Sequence, residues 1–219
     1  MRIGFAVITL GFTLLQATAF GRAQAQDARL ARLPDDATRV QVNALLDDAR
    51  ATGLPAEPLV DRALEGVARN APADKIVLAV TRLRDELRVA RSAFGVTASA
   101  AELISGASAL RAGATRADLA RLHELRSGQK LTIAAAVLAD MVAAGVPADT
   151  GIAAVLALAP VAKDADYVAF RRNVERDIAL GASPAAAIGV RLQAAMDVAE
   201  SLQGMSSVNG SKVPRKRKP

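Results

Sequence analysis

The sequence predicts an all-α fold: an irregular antiparallel array of about nine helices, either a degenerate α-solenoid or a compact multi-helix bundle. Three observations carry this. First, a short hinge of Gly, an apolar residue, then Pro, Thr or Ser recurs at Gly53, Gly95, Gly113, Gly145 and Gly181. Gly just past a helix satisfies the last carbonyls in a left-handed turn, and Thr, Ser or Pro opens the next helix. Second, alanine fills 50 of the 219 positions, which favours helix and close helix approach. Third, only 3% of residues are aromatic and none is Trp, so the core must be assembled from Leu, Val, Ile and Ala. That composition suits helix on helix better than a β-sandwich.

The elements follow in order. Asp27 to Leu33 is a short leader, and Pro34-Asp35 opens a first helix that carries Val40, Leu45, Leu46 and Ala49 to Thr52. After the Gly53 hinge, Leu59, Val60, Ala63, Leu64 and Val67 share the face of a second helix, which Asn70-Ala71-Pro72 breaks. The third starts near Asp74 and has the cleanest periodicity: Ile76, Val80, Leu83, Leu87, Ala90 and Phe94 form a heptad seam, expected to face an internal neighbour. Its other face is dense in charge. The fourth helix starts at Thr97 or at Ser99, where Glu102 completes a capping box.

Thr115 caps a short fifth helix through Leu119, Leu122 and Leu125, ended by Ser127-Gly128. The sixth, from about Leu131 to Ala144, is apolar nearly all round and so is expected at the centre; the seventh, with Ile152, Val155 and Leu158, continues that character. Tyr167, Phe170, Val174 and Ile178 line the eighth. Ser183-Pro184 opens the ninth, expected to end near Gly204. The hinges are 42, 18, 32 and 36 residues apart, so any repeat is degenerate, although the last two spacings fall in the range of two-helix repeats.

Residues 1–25 have the pattern of an export signal: Arg2, an apolar run from Ile3 to Leu15, and small residues at Ala23-Gln24-Ala25. Cleavage is expected after Ala25, with Ala17-Thr18-Ala19 as a second small-x-small site and an uncleaved anchor as the alternative. The apolar run is too short for a comfortable membrane span. Residues 26–203 then form the helical domain, and residues 204–219, with almost nothing to bury, are expected to be a disordered basic tail. No cysteine is present, so neither disulfides nor thiolate sites contribute.

The formal charge of +6 belongs to the ends of the chain. Without Arg2 and Arg22, 26 basic residues stand against 22 acidic; without Lys212, Arg215, Lys216, Arg217 and Lys218, 21 stand against 22. That basic tail is the strongest interaction signal, a possible electrostatic tether to an anionic surface. Mixed charge elsewhere, as at Arg82, Arg88 and Arg91 or Arg171, Arg172 and Arg176, reads as solvated helix faces.

Catalytic patterns are missing. His123-Glu124 begins a zinc-binding helix motif, but Ser127 occupies the second ligand position and the chain has one histidine. Gly106-Ala107-Ser108 lacks the second glycine of a nucleophile elbow. The acid pairs Asp35-Asp36, Asp47-Asp48 and Asp85-Glu86 are sequence neighbours and point about 100° apart on a helix, which suits solvated faces and dipole partners. No phosphate loop or dinucleotide fingerprint occurs. No cofactor or metal is expected. The function expected is therefore a non-enzymatic, exported binding or scaffolding module of a bacterial cell envelope, with a protein or an anionic envelope component as partner. The alternative is a nucleic-acid-associated helical protein that keeps its N-terminal segment.

Overall fold

The computed structural model describes residues 27–210, the last nine by backbone alone. Among them are nine α-helices and no strand: α1 Asp36–Ala51, α2 Glu57–Ala68, α3 Ala73–Phe94, α4 Ala100–Arg111, α5 Arg116–Leu125, α6 Thr132–Ala143, α7 Ala148–Leu158, α8 Asp164–Ala179 and α9 Pro184–Gly210. The all-helical expectation holds. Two boundaries differ from the sequence reading. The leader forms a 3₁₀ turn, Ala28–Arg32, held down by buried Leu30 and Leu33. The ninth helix runs to Gly210, beyond the Gly204 end expected: no proline interrupts residues 204–210, and a single glycine weakens a helix without ending it.

The caps follow the local sequence closely. Asp35 accepts the Thr38 backbone N–H at 2.7 Å and opens α1. Ser99 and Thr115 open α4 and α5 in capping boxes with Glu102 and Asp118, which decides the start of α4 in favour of Ser99. At Gly53, with φ +70, the N–H of Leu54 reaches back to the Ala49 carbonyl and that of Gly53 to Arg50. This is a Schellman closure, and the apolar residue after the turn is its buried clasp. The same double bond recurs after Gly113, Gly145 and Gly181, and once at a non-glycine, Asn70, with φ +51. Gly95 is the exception. Its φ of 89° and ψ of 172° extend the chain, only its own N–H bonds back to Arg91, and Val96 is left 78% exposed.

The helices pack in two rows. Odd-numbered neighbours touch in the order α1, α3, α5, α7, α9, and α4, α6 and α8 touch in the second row. Rungs between rows join α2 and α4 to α3, α6 to α7, and α8 to α9. The heptad seam of α3 lies inside this arrangement: all six of its residues are buried, meeting α1, α2, α4 and α5. Small residues allow the closest approach. A Cβ on Gly106 would lie 2.7 Å from the Phe94 ring and 2.9 Å from the Ala90 Cβ, so this glycine serves the α3–α4 contact.

Candidate functional site

The basic residues Lys212, Arg215, Lys216, Arg217 and Lys218, and the segment 1–25, lie outside the described residues. The five hinge glycines all occupy positive-φ turns between helices and bring no reactive group together.

The adjacent acids are spread over structural roles. Asp36 pairs with Arg39 and Asp47 with Arg50. Asp48 crosses to Arg88 on α3 at 2.9 Å, while Glu86 accepts from Arg111 of α4 at 2.6 Å. Backbone and side-chain hydrogen bonds from Thr38 hold the Asp35 carboxyl below the usual carboxylate range. Burial acts to raise Glu102, but the backbone N–H groups of Ser99 and Leu131 outweigh it and keep that carboxyl low. Glu102 thereby ties the start of α4 to the start of α6, Leu131 donating at 3.0 Å. His123 is exposed; its Nδ1 lies 3.3 Å from the Ala93 carbonyl and its ring meets Phe94 edge-on. Among the described residues, no three His, Cys, Asp or Glu side chains gather where they could hold a metal ion.

One polar centre escaped the sequence reading. Arg126, at the end of α5, is 1% exposed. Its guanidinium donates to the Ala162 carbonyl at 2.7 Å, to the Lys130 carbonyl at 3.3 Å and to Asp164 Oδ1 at 2.8 Å. It also sits 5.1 Å from the centre of the Tyr167 ring. The buried Tyr167 hydroxyl donates to the Val155 carbonyl at 3.0 Å, and burial pushes its pKa up to about 12. No buried side-chain polar atom among the described residues lacks a hydrogen-bond partner, this cluster included, and the cluster fixes the corner where α5, α7 and α8 meet. The only signal in the sequence is an arginine at the close of a helix, which is ordinary there.

The open feature is at the C-terminal end. A cleft of about 290 Å³ between α8 and α9 is lined by Leu158, Val161, Phe170, Ala195 and Val198, with Arg191 on its edge. Arg191 is clamped by both oxygens of Asp177, at 2.6 and 2.8 Å, and this hydrogen bonding raises the arginine pKa and lowers that of the aspartate. A second, shallower groove of about 580 Å³ lies between α7 and α9, over Ala157, Ile188 and Leu192. Of the eight large apolar side chains exposed among the described residues, four, Leu180, Val190, Met196 and Val198, belong to α9 and the turn that precedes it, and Val198 lines the cleft.

No helix among the described residues is long and apolar enough to cross a membrane. Comparison with known protein families, characterised proteins and solved structures gives no match to this chain.

Proposed function

We propose that the protein is a non-enzymatic, exported binding or scaffolding module of a bacterial cell envelope, which docks a partner helix in the α8–α9 cleft. The single observation that supports this is the apolar cleft at the open end of the array. In the even row, α6 packs on α4 and α8 packs on α6, and the even-row helices α4 and α8 also lean on an odd-row helix. The cleft is the next such position, bounded by α8 and α9, with Phe170 and Val198 available to an incoming apolar stripe. A helix from a partner would continue the stacking with the same kind of side-chain contact. The basic tail from Lys212 to Lys218 would add a salt-sensitive tether to an anionic component.

The test is a photo-crosslinking residue at Ala194 in the full chain, in cells, with peptide mapping of the adduct and of the protein's own N-terminus. The expected result is one adduct, mapped to an amphipathic helix of an envelope protein and lost in Val198→Arg, with a mature N-terminus at Gln26. A retained Met1 together with ribosomal or nucleoid partners would overturn the export reading and favour nucleic-acid association.

A further inference from the structure

The opposite end of the array carries a second feature, electrostatic instead of apolar. On α3, Lys75, Ala79, Arg82 and Glu86 follow one another at helical spacing along a single line beside the buried seam. On α2, Arg62, Gly66 and Arg69 form a matching line. The two lines border two adjoining clefts of about 210 and 150 Å³, which share Arg62 and Ala79. Arg111 of α4 closes the larger one. Five cations therefore line this groove against two carboxylates, Glu65 and Glu86. The excess is local, because the helical body as a whole is close to neutral.

The carboxylates are already engaged. Glu65 accepts from Arg62 at 3.0 Å and Arg69 at 2.7 Å, and Glu86 accepts from Arg111. Lys75 has only an exposed contact with Asp74 at 3.7 Å. The Arg82 side chain has no ion pair or hydrogen bond among the described residues, though it stands in the same cleft as Arg62 and Arg111. Packing like charges along facing helices costs stability unless an anion lies between them. Gly66 lets α2 approach α3 closely, since a Cβ there would lie 2.7 Å from Ile76, and the short side chain of Ala79 separates the two clefts from one another without a charge of its own.

We propose that this groove binds a phosphate group, with Arg62, Arg82 and Arg111 of the larger cleft as its donors. The planar guanidinium forks of three arginines from three helices match tetrahedral oxyanion geometry better than single-point ammonium groups do. Arg82 is exposed and its side chain has no protein partner among the described residues, so it can turn to the anion without breaking an ion pair, and its loss is expected to weaken binding most. The phosphate is either a free anion or the headgroup of an anionic lipid, and both present the same oxygens.

The experiment uses the full chain at fixed ionic strength, titrated calorimetrically with pyrophosphate and, separately, sedimented with phosphatidylcholine vesicles with and without phosphatidylglycerol. Arg82→Glu is compared with Arg172→Glu, an exposed α8 arginine also without an ion pair among the described residues. Arg82→Glu places a carboxylate beside Arg62 and Arg111, so it should fold at least as well as the parent, which circular dichroism verifies. Because both variants keep the basic tail, the difference between them reports the groove alone. The expected result is a loss of about tenfold or more in pyrophosphate affinity for Arg82→Glu, and little change for Arg172→Glu. An Arg82-dependent loss seen only with phosphatidylglycerol vesicles assigns the phosphate to a lipid. Equal behaviour of the two variants in both arms, or no binding by the parent in either, overturns the proposal.

Discussion

The helices α3 and α9 are both long, 22 and 27 residues, and only one of them is a core element. In α3 the apolar residues keep a strict seam, and seven side chains are buried. In α9 apolar residues occur all round the helix, yet within residues 184–201 only Ala187 and Ile188 are buried. Apolar content therefore does not decide burial. Position does: α3 has helices on several sides, whereas α9 closes its row with only α7 and α8 as substantial neighbours. A helix that is apolar all round usually lies inside something larger, which is why the α9 end is the stronger place to look for a protein partner.

The sharpest way to break the contrast is to empty a buried position of α3 and compare it with an exposed position of α9. Leu87→Ala, at a fully buried seam position, should cost about 2–5 kcal/mol in denaturant unfolding, because neighbours from other helices cannot collapse into the gap. A loss under about 1 kcal/mol would mean that α3 is not the centre of the fold.

The Tyr167 corner offers an intermediate effect. A folded-state pKa raised above the ordinary 10.0 to about 12 means that the fold favours the neutral phenol. That contribution, of about 3 kcal/mol, is fully present below pH 10 and is lost as pH rises from 10 through about 12. Since Tyr167 is the chain's one tyrosine and there is no Trp, phenolate absorbance in the near ultraviolet follows it alone. Tyr167→Phe should flatten alkaline destabilisation over that interval; an unchanged profile would show that the phenol is not the group responsible.

The smallest effect is expected on α9. Val190→Ser, at a side chain 65% exposed, should change stability by no more than about 0.5 kcal/mol in the isolated protein. A larger loss would reveal that the outer face of α9 is already covered in solution, most simply by a second copy, and analytical ultracentrifugation would then detect the association.

Much of the local structure was legible in the residues. Ser99 with Glu102 and Thr115 with Asp118 announce their capping boxes, and Gly53, Gly113, Gly145 and Gly181 announce Schellman turns, because each rests on hydrogen bonds spanning three to five residues. The Gly95 hinge looks the same in sequence and folds differently, since Ser99 and not Thr97 captures the next helix start. The candidate sites were far less legible. Arg126 meets Asp164 across 38 residues. The phosphate groove joins Arg62 to Arg111 across three helices whose charges, read along the chain, look like ordinary solvated faces.

By itself the sequence determined that this protein is helical, where most of its helices begin and end, and that α3 faces inward, because propensity, capping and periodicity act within a few turns of chain. Only the tertiary structure decided the two-row pairing, the burial of Arg126, the opposed cations of α2 and α3 and the unfilled cleft at α9. Those depend on which faces fit together between helices that unequal hinge spacings leave without a repeating register, and such a choice is made by packing over the whole molecule.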